Sequence, residues 1–318
     1  MIRPTISLAF VLALLMAGAA FAADASAPDT GWKSPPDDIL SVLHAPQLPW
    51  VWTAPGGEHM LLADPILYPR LAELAAPMHK LAGVRVNPAN GSVHGRHGGR
   101  APRLLEVEGG EPRPLGLPED AEVADVDWTA DGEHFALTVL HPDHVGLWVG
   151  SVKGDVKKIE GVALSPLLGM PVRWLPDQER LLVRRVPPSR GSEPAAPPIP
   201  AGPAITESAG ASARSTYEAR NLLETAHDDA LFAHFMTSEL AIVEPGKGKL
   251  KTIGEPALYS SASFSPDGDY LLVESLVEPW SHEVAWWRFA SEVEVWGEKG
   301  EHVATVASLP LADEVPTQ

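Results

Sequence analysis

The sequence contains no cysteine. Disulfides, thiolate metal sites and a thiol nucleophile are therefore excluded, and nothing is available for lipoprotein acylation. Basic residues are scarce, with 24 Lys and Arg against 42 Asp and Glu, a net charge of −18. A surface of that sign repels phosphate backbones, so no nucleic-acid partner is expected. Long apolar runs are also missing. The one notable run, Ile6 to Met16, is shorter than the about 20 residues a membrane helix needs, so no membrane span is expected. With Arg3 before it and Ala20-Phe21-Ala22 after it, this run reads as a signal peptide over residues 1–22. The protein is accordingly expected to be exported, periplasmic or secreted, after cleavage near Ala22. Extended helical periodicity is absent too, because 32 prolines and 27 glycines cut the chain into short pieces.

What is present is a recurring hairpin. Phe264-Ser265-Pro266-Asp267-Gly268-Asp269-Tyr270-Leu271-Leu272-Val273 is a strand end, a tight turn and an alternating apolar strand. Proline presets φ, aspartate caps the turn and glycine accepts positive φ. Trp128-Thr129-Ala130-Asp131-Gly132 and Trp174-Leu175-Pro176-Asp177-Gln178 open the same object, and Trp52-Thr53-Ala54-Pro55-Gly56-Gly57 is a looser copy. Each copy is followed by a second hairpin, so a unit holds four antiparallel strands. First hairpins are expected near 50–63, 125–139, 171–184 and 261–274, and second hairpins near 102–115, 146–159, 239–253 and 292–306. Units of this kind repeated in sequence point to an all-β fold, a β-propeller of about four four-stranded blades forming an incomplete ring. A β-sandwich of hairpins is the alternative.

Three segments follow from this reading. After the signal peptide, residues 23–48 form a polar N-terminal segment with one short helix over Asp37 to Leu43. Residues 49–318 form the partial propeller. Within it, residues 187–215 are rich in proline, serine, glycine and alanine, which offer little apolar surface to offset ordering entropy, and are expected to be a mobile insertion. Helical character is expected around Leu67 to Ala75 and within Tyr217 to Phe235.

Other chemistry finds little support in the residues. His94-Gly95-Arg96-His97-Gly98-Gly99 has the composition of a flexible loop and no carboxylate at ligand spacing, so no metal and no cofactor is expected. Asp131 and Asp267 could be paired carboxylates, but at repeat positions they read as turn caps. Trp52, Trp128 and Trp174 recur at strand positions and read as packing residues. Gly246-Lys247-Gly248-Lys249 lacks the full phosphate-loop pattern and reads as a hairpin turn.

A more specific resemblance lies in longer motifs. Leu71-Ala72-Glu73-Leu74-Ala75 with Leu81-Ala82-Gly83-Val84-Arg85-Val86-Asn87-Pro88, Ser215-Thr216-Tyr217-Glu218-Ala219-Arg220-Asn221, Thr237-Ser238-Glu239-Leu240 and Glu292-Val293-Glu294-Val295-Trp296 resemble the glutamyl endopeptidase branch of the prolyl oligopeptidase family. The resemblance covers most of residues 50–316. It implies an exported serine endopeptidase cleaving after glutamate, in which a propeller gates a C-terminal α/β-hydrolase domain carrying a Ser-Asp-His triad. No Gly-x-Ser-x-Gly elbow occurs in this sequence. Peptide substrates would therefore be met through a hydrolase domain outside this sequence, no catalytic residue is assigned, and the chain alone is expected to be inactive. Selecting glutamate needs a cation near the substrate carboxylate, and Arg214 and Tyr217 are the candidate substrate-facing residues, with Arg190 and Arg220 in the same insertion. The alternative function is a free-standing exported propeller that binds a protein or peptide without catalysis.

Overall fold

The computed structural model describes residues 34–45, 47–198 and 220–313. The chain divides into two units, residues 1–46 and 47–318. In the first, α1 (Asp37–Leu43) places Asp37 and Asp38 in its first turn, where acidic groups favour the helix dipole. The proposed signal peptide lies outside the described residues. Among those residues no helix is long and apolar enough to cross a membrane.

The second unit contains four four-stranded antiparallel sheets that resemble propeller blades. Blade I begins with β1 (Trp50–Thr53) and β2 (His59–Asp64). An excursion follows, made of α2 (Leu71–Leu74) and a three-stranded sheet of β3 (His79–Leu81), β4 (Val84–Asn87) and β5 (Ser92–Val93). The chain then returns in β6 (Arg100–Glu106) and β7 (Arg113–Pro114) to complete the blade. Blade II is uninterrupted: β8 (Glu122–Trp128), β9 (His134–Leu140), β10 (Val145–Ser151) and β11 (Val156–Ala163). Blade III has β12 (Val172–Trp174) and β13 (Leu181–Arg185), then α3 (Ala226–Met236), then β14 (Ser238–Glu244) and β15 (Lys249–Ala257). Blade IV comprises β16 (Tyr259–Phe264), β17 (Tyr270–Leu276), β18 (Ser291–Gly297) and β19 (His302–Leu309). All eight expected hairpins occur within a few residues of their expected positions. The small sheet β3–β4–β5 exceeds the expectation, which held only an extended run leading into Asn90-Gly91.

The turns form for the reasons the sequence gives. The Asp131 carboxylate accepts from the Thr129 hydroxyl at 2.6 Å and the Glu133 amide at 2.9 Å, while Gly132 takes φ 73°. In blade IV, Asp267 accepts from the Ser265 hydroxyl at 2.5 Å and the Asp269 amide at 3.2 Å, with Gly268 at φ 81°. These hydroxyl contacts are the main reason both carboxyls sit below the usual aspartate range. Blade III has Gln178 where the others have glycine, at φ 59°. Its side-chain oxygen accepts from the Asp131 amide at 2.6 Å, so the strained residue joins two neighbouring turns.

The core lies between blades. Side chains alternate faces along a strand, and each apolar face meets a different neighbour. Phe135, Leu137 and Val139 of β9 pack with Leu61 and Leu104 of blade I, whereas Ala136 and Leu140 of the same strand pack with Leu181, Val183, Ala241 and Val243 of blade III. Leu182, Leu240 and Ile242 of blade III then meet Tyr259, Leu271 and Val273 of blade IV. Each buried Leu, Ile, Val or Phe among them contributes about 1.5–3 kcal/mol relative to leaving it exposed. On blade IV the opposite face has no such cover: Tyr270 and Leu272 are 48% and 46% exposed.

The joint between blades I and II requires glycine. Gly99 exchanges backbone hydrogen bonds with Val123 at 2.8 and 2.9 Å. A Cβ at Gly99 would lie 2.4 Å from the Ala63 Cβ, and one at Gly98 would lie 2.5 Å from the Glu122 carbonyl carbon. The segment read as a flexible glycine loop thus ends in a tightly packed junction. Gly99→Ala should lower stability by about 1–3 kcal/mol, measured by urea unfolding. Gly116→Ala, which meets nothing within 4 Å, is the control and should change little.

Candidate functional site

The connections from second to third strand set the chemistry at one end of the blades. Blade II crosses with only a short turn, His141 to His144, but blades I, III and IV carry insertions there. Their apolar side chains merge into one cluster: Leu81, Val84 and Val86 from blade I's insertion, Phe232, Phe235 and Met236 from α3, and Val284 and Phe289 from blade IV's. Backbone bonds bind the insertions, with the Gly83 amide donating to the Asn221 carbonyl at 2.8 Å and the Trp286 amide to the Ala82 carbonyl at 2.9 Å. Helix α3 starts where Thr225 and Asp228 form a capping box, the reciprocal arrangement that satisfies the first free amides.

Beside this cluster a cavity of about 820 Å³ opens between blade I's insertion and blade II. Its lining mixes cations and anions, including Arg70, Arg96, Arg100, Glu73 and Glu122. Arg100 holds Glu122 through Nη2 at 2.6 Å and Nε at 3.2 Å. Asn90 Nδ2 donates to the His141 carbonyl at 2.9 Å, and the His141 ring stacks on His144 at 4.5 Å. Burial is the main force lowering the His141 pKa, with the neighbouring His144 adding to it. Such a wall can hold an extended polar chain through paired charges and backbone carbonyls. Among the described residues no serine is hydrogen-bonded to a histidine, and no group of three or more His, Asp or Glu side chains is arranged for a metal ion.

The sequence-predicted candidates are dispersed. Arg214 and Tyr217 lie outside the described residues, as does most of the insertion expected to be mobile. Arg190 is tied down: its Nη2 donates to the Phe235 carbonyl at 3.2 Å and to the Thr237 carbonyl, both at the C-terminal end of α3. There it complements the helix dipole, and burial pushes its pKa down to about 10. Glu193, three residues on, sits 2.8 Å from His79 of β3. Arg220 is exposed. Sequence reasoning missed the Arg100–Glu122 pair and His141 because they come from three separate segments and form no motif.

No protein-family model matches this sequence. Over 301 residues, 90% of the chain, it is 32% identical to a probable chloroplastic glutamyl endopeptidase of Oryza sativa subsp. japonica. Over 310 residues, 92% of the chain, it is 31% identical to a protein of the same name from Arabidopsis thaliana. The chain is homologous to these glutamyl endopeptidases. It spans only 32% of the length of each relative. Among solved structures, uncomplexed Pyrococcus horikoshii acylaminoacyl peptidase superposes with a TM-score of 0.43 at 11% identity, covering 84% of this chain and 33% of that one. The β-propeller domain of the Pyrococcus furiosus trilobed protease gives 0.35 at 13% identity, covering 60% and 43%. Scores this low carry no argument. The expectation of an exported, periplasmic or secreted protein is corrected by the glutamyl endopeptidase homologues, both of which are named chloroplastic.

The Arg190 contacts generate a prediction. Arg190→Ala should release residues 187–198 from the end of α3, and amide hydrogen exchange there should rise at least tenfold, the equivalent of losing about 1.5–3 kcal/mol of charge-assisted hydrogen bonding. Unchanged exchange would mean that the anchor lies elsewhere.

Proposed function

We propose that this chain is the propeller portion of a serine peptidase of the prolyl oligopeptidase family, acting with a catalytic α/β-hydrolase domain to cleave peptides after glutamate. The homology carries the reading. It covers 90% of this chain but only 32% of the rice protein, so the match is with one part of a larger enzyme. The role of the propeller in this reading is access: it admits extended peptides to the catalytic domain and turns folded proteins away. The polar cavity beside the insertion cluster suits such a role, because its charged and amide side chains can exchange partners with a passing peptide. The exposed Tyr270 and Leu272 on blade IV favour an incomplete ring, since an uncovered apolar sheet face is the natural seat of a further blade.

Acyl transfer by a serine peptidase requires a nucleophile, a base and an oxyanion hole held together. Residues 1–318 alone should therefore show no serine-inhibitor-sensitive cleavage of glutamyl peptides. A chimera in which residues 50–313 replace the homologous third of the rice protein should cleave short glutamyl peptides and spare folded proteins. Turnover by residues 1–318 alone, or a folded chimera inert toward peptides, would overturn the proposal.

A further inference from the structure

Blade III carries two adjacent arginines at the end of the otherwise apolar strand β13, and only one has a counter-ion. Arg185 lies opposite Glu239 in the ladder and pairs with it at 2.7 Å. Arg184, on the other face, is 5% exposed, and no carboxylate is among its partners. Its donors reach only carbonyls: Nε to Ser165 at 3.3 Å, and Nη1 to Tyr259 at 2.7 Å, Ser260 at 3.3 Å and Leu168 at 3.5 Å. Its Nη2 is shielded from bulk water and has no partner. Burial pushes the Arg184 pKa down to about 10, which still leaves the group charged at neutral pH. A buried charge without a counter-ion is costly, and proteins ordinarily pair it.

A cavity of about 230 Å³ adjoins Arg184, between blades III and IV and beside their first strands. It is lined by Arg173, Arg184, Ser260, Ser261 and Ser263 among apolar residues, and by no acidic side chain. That is unusual in a chain of net charge −18. Arg173 is already engaged with Asp127 of blade II at 3.3 Å, so one positive charge remains to be neutralised. Gly169 packs beside Nη2, where a Cβ would stand 3.4 Å from that nitrogen.

We propose that this inter-blade cavity is a binding site for a small carboxylate, with Arg184 as its principal ligand and Arg173 at its rim. The unpartnered Nη2 carries two N–H groups that can donate to a carboxylate in a charge-assisted bond. A single unmatched charge suits a monoanion better than phosphate, which carries nearly two charges at neutral pH. The volume exceeds several times the about 30 Å³ share of a water molecule, enough for a carboxylate and a short stem. The site rests on the geometry around Arg184 and stands independently of the peptidase reading.

The test is thermal unfolding of residues 1–318 in rising sodium acetate, with sodium chloride at equal ionic strength as the reference. A ligand that binds only the folded state raises the melting temperature, and a saturable rise of about 2–4 °C over chloride is expected. Arg184→Met, close in volume and uncharged, should abolish the acetate-specific rise, and Arg173→Gln should weaken it. Should Arg184→Met fail to fold, the wild-type guanidinium NMR signal of Arg184 should shift on acetate titration and saturate at the same concentration. Acetate acting no better than chloride, an equal rise in Arg184→Met, or an unmoved guanidinium signal would each overturn the proposal.

Discussion

A four-stranded sheet with apolar residues on both faces cannot bury both by itself, and that constraint organises the larger unit of this chain. β9 shows it most clearly. Phe135, Leu137 and Val139 belong to one core cluster, and Ala136 and Leu140, on the opposite face, to the next. A one-residue slip in register would exchange the two faces, so the side-chain alternation of each blade is fixed from both sides at once. Blade II and blade III have neighbours on each face, whereas Tyr270 and Leu272 of blade IV point away from the core. Stability is therefore expected to be distributed by position in the stack.

Polar contacts between blades set angle and spacing rather than supplying most of the stability. The Trp174 amide and indole donate to the Asp127 carboxylate and carbonyl at 2.8 and 2.9 Å, joining blades II and III. Lys157 reaches the Pro245 carbonyl at 2.7 Å between the same blades, and Arg180 bridges to Glu298 of blade IV at 2.5 Å. Half-exposed ion pairs of the last kind contribute about 0–1 kcal/mol. Arg184 is different, because its contacts with the Tyr259 and Ser260 carbonyls lie inside the junction of blades III and IV. Its charge is spent on a function or on geometry, and the adjoining cavity is the reason to favour function.

Local rules made the blades legible in the sequence. Turn chemistry at Asp131-Gly132 and Asp267-Gly268, followed by alternating strands, marked the first hairpins of blades II and IV. The same rules were silent where structure depends on distant partners. His94 to Gly99 has the composition of a loose loop, yet Gly98 and Gly99 are needed because the backbone of β8 and Ala63 of β2 come too close for any Cβ. The insertion cluster could not be read from sequence, because its apolar residues come from segments of three different blades, far apart in the chain. One available sign went unused: Arg184 and Arg185 interrupt Leu181-Leu182-Val183 and Val186 in a strand that otherwise reads as core. Arg185 is explained by Glu239 directly across the ladder, and Arg184 by nothing local.

The central claim, that stability resides in the faces shared between consecutive blades, is tested most directly by amide hydrogen exchange across the whole chain. The account predicts the slowest exchange in β9, β10, β13 and β14, which are covered on both faces, and markedly faster exchange in β19, whose residues are almost all exposed. Protection in β19 equal to that in β9 would contradict it, because the last strand would then owe its stability to something other than a neighbouring blade.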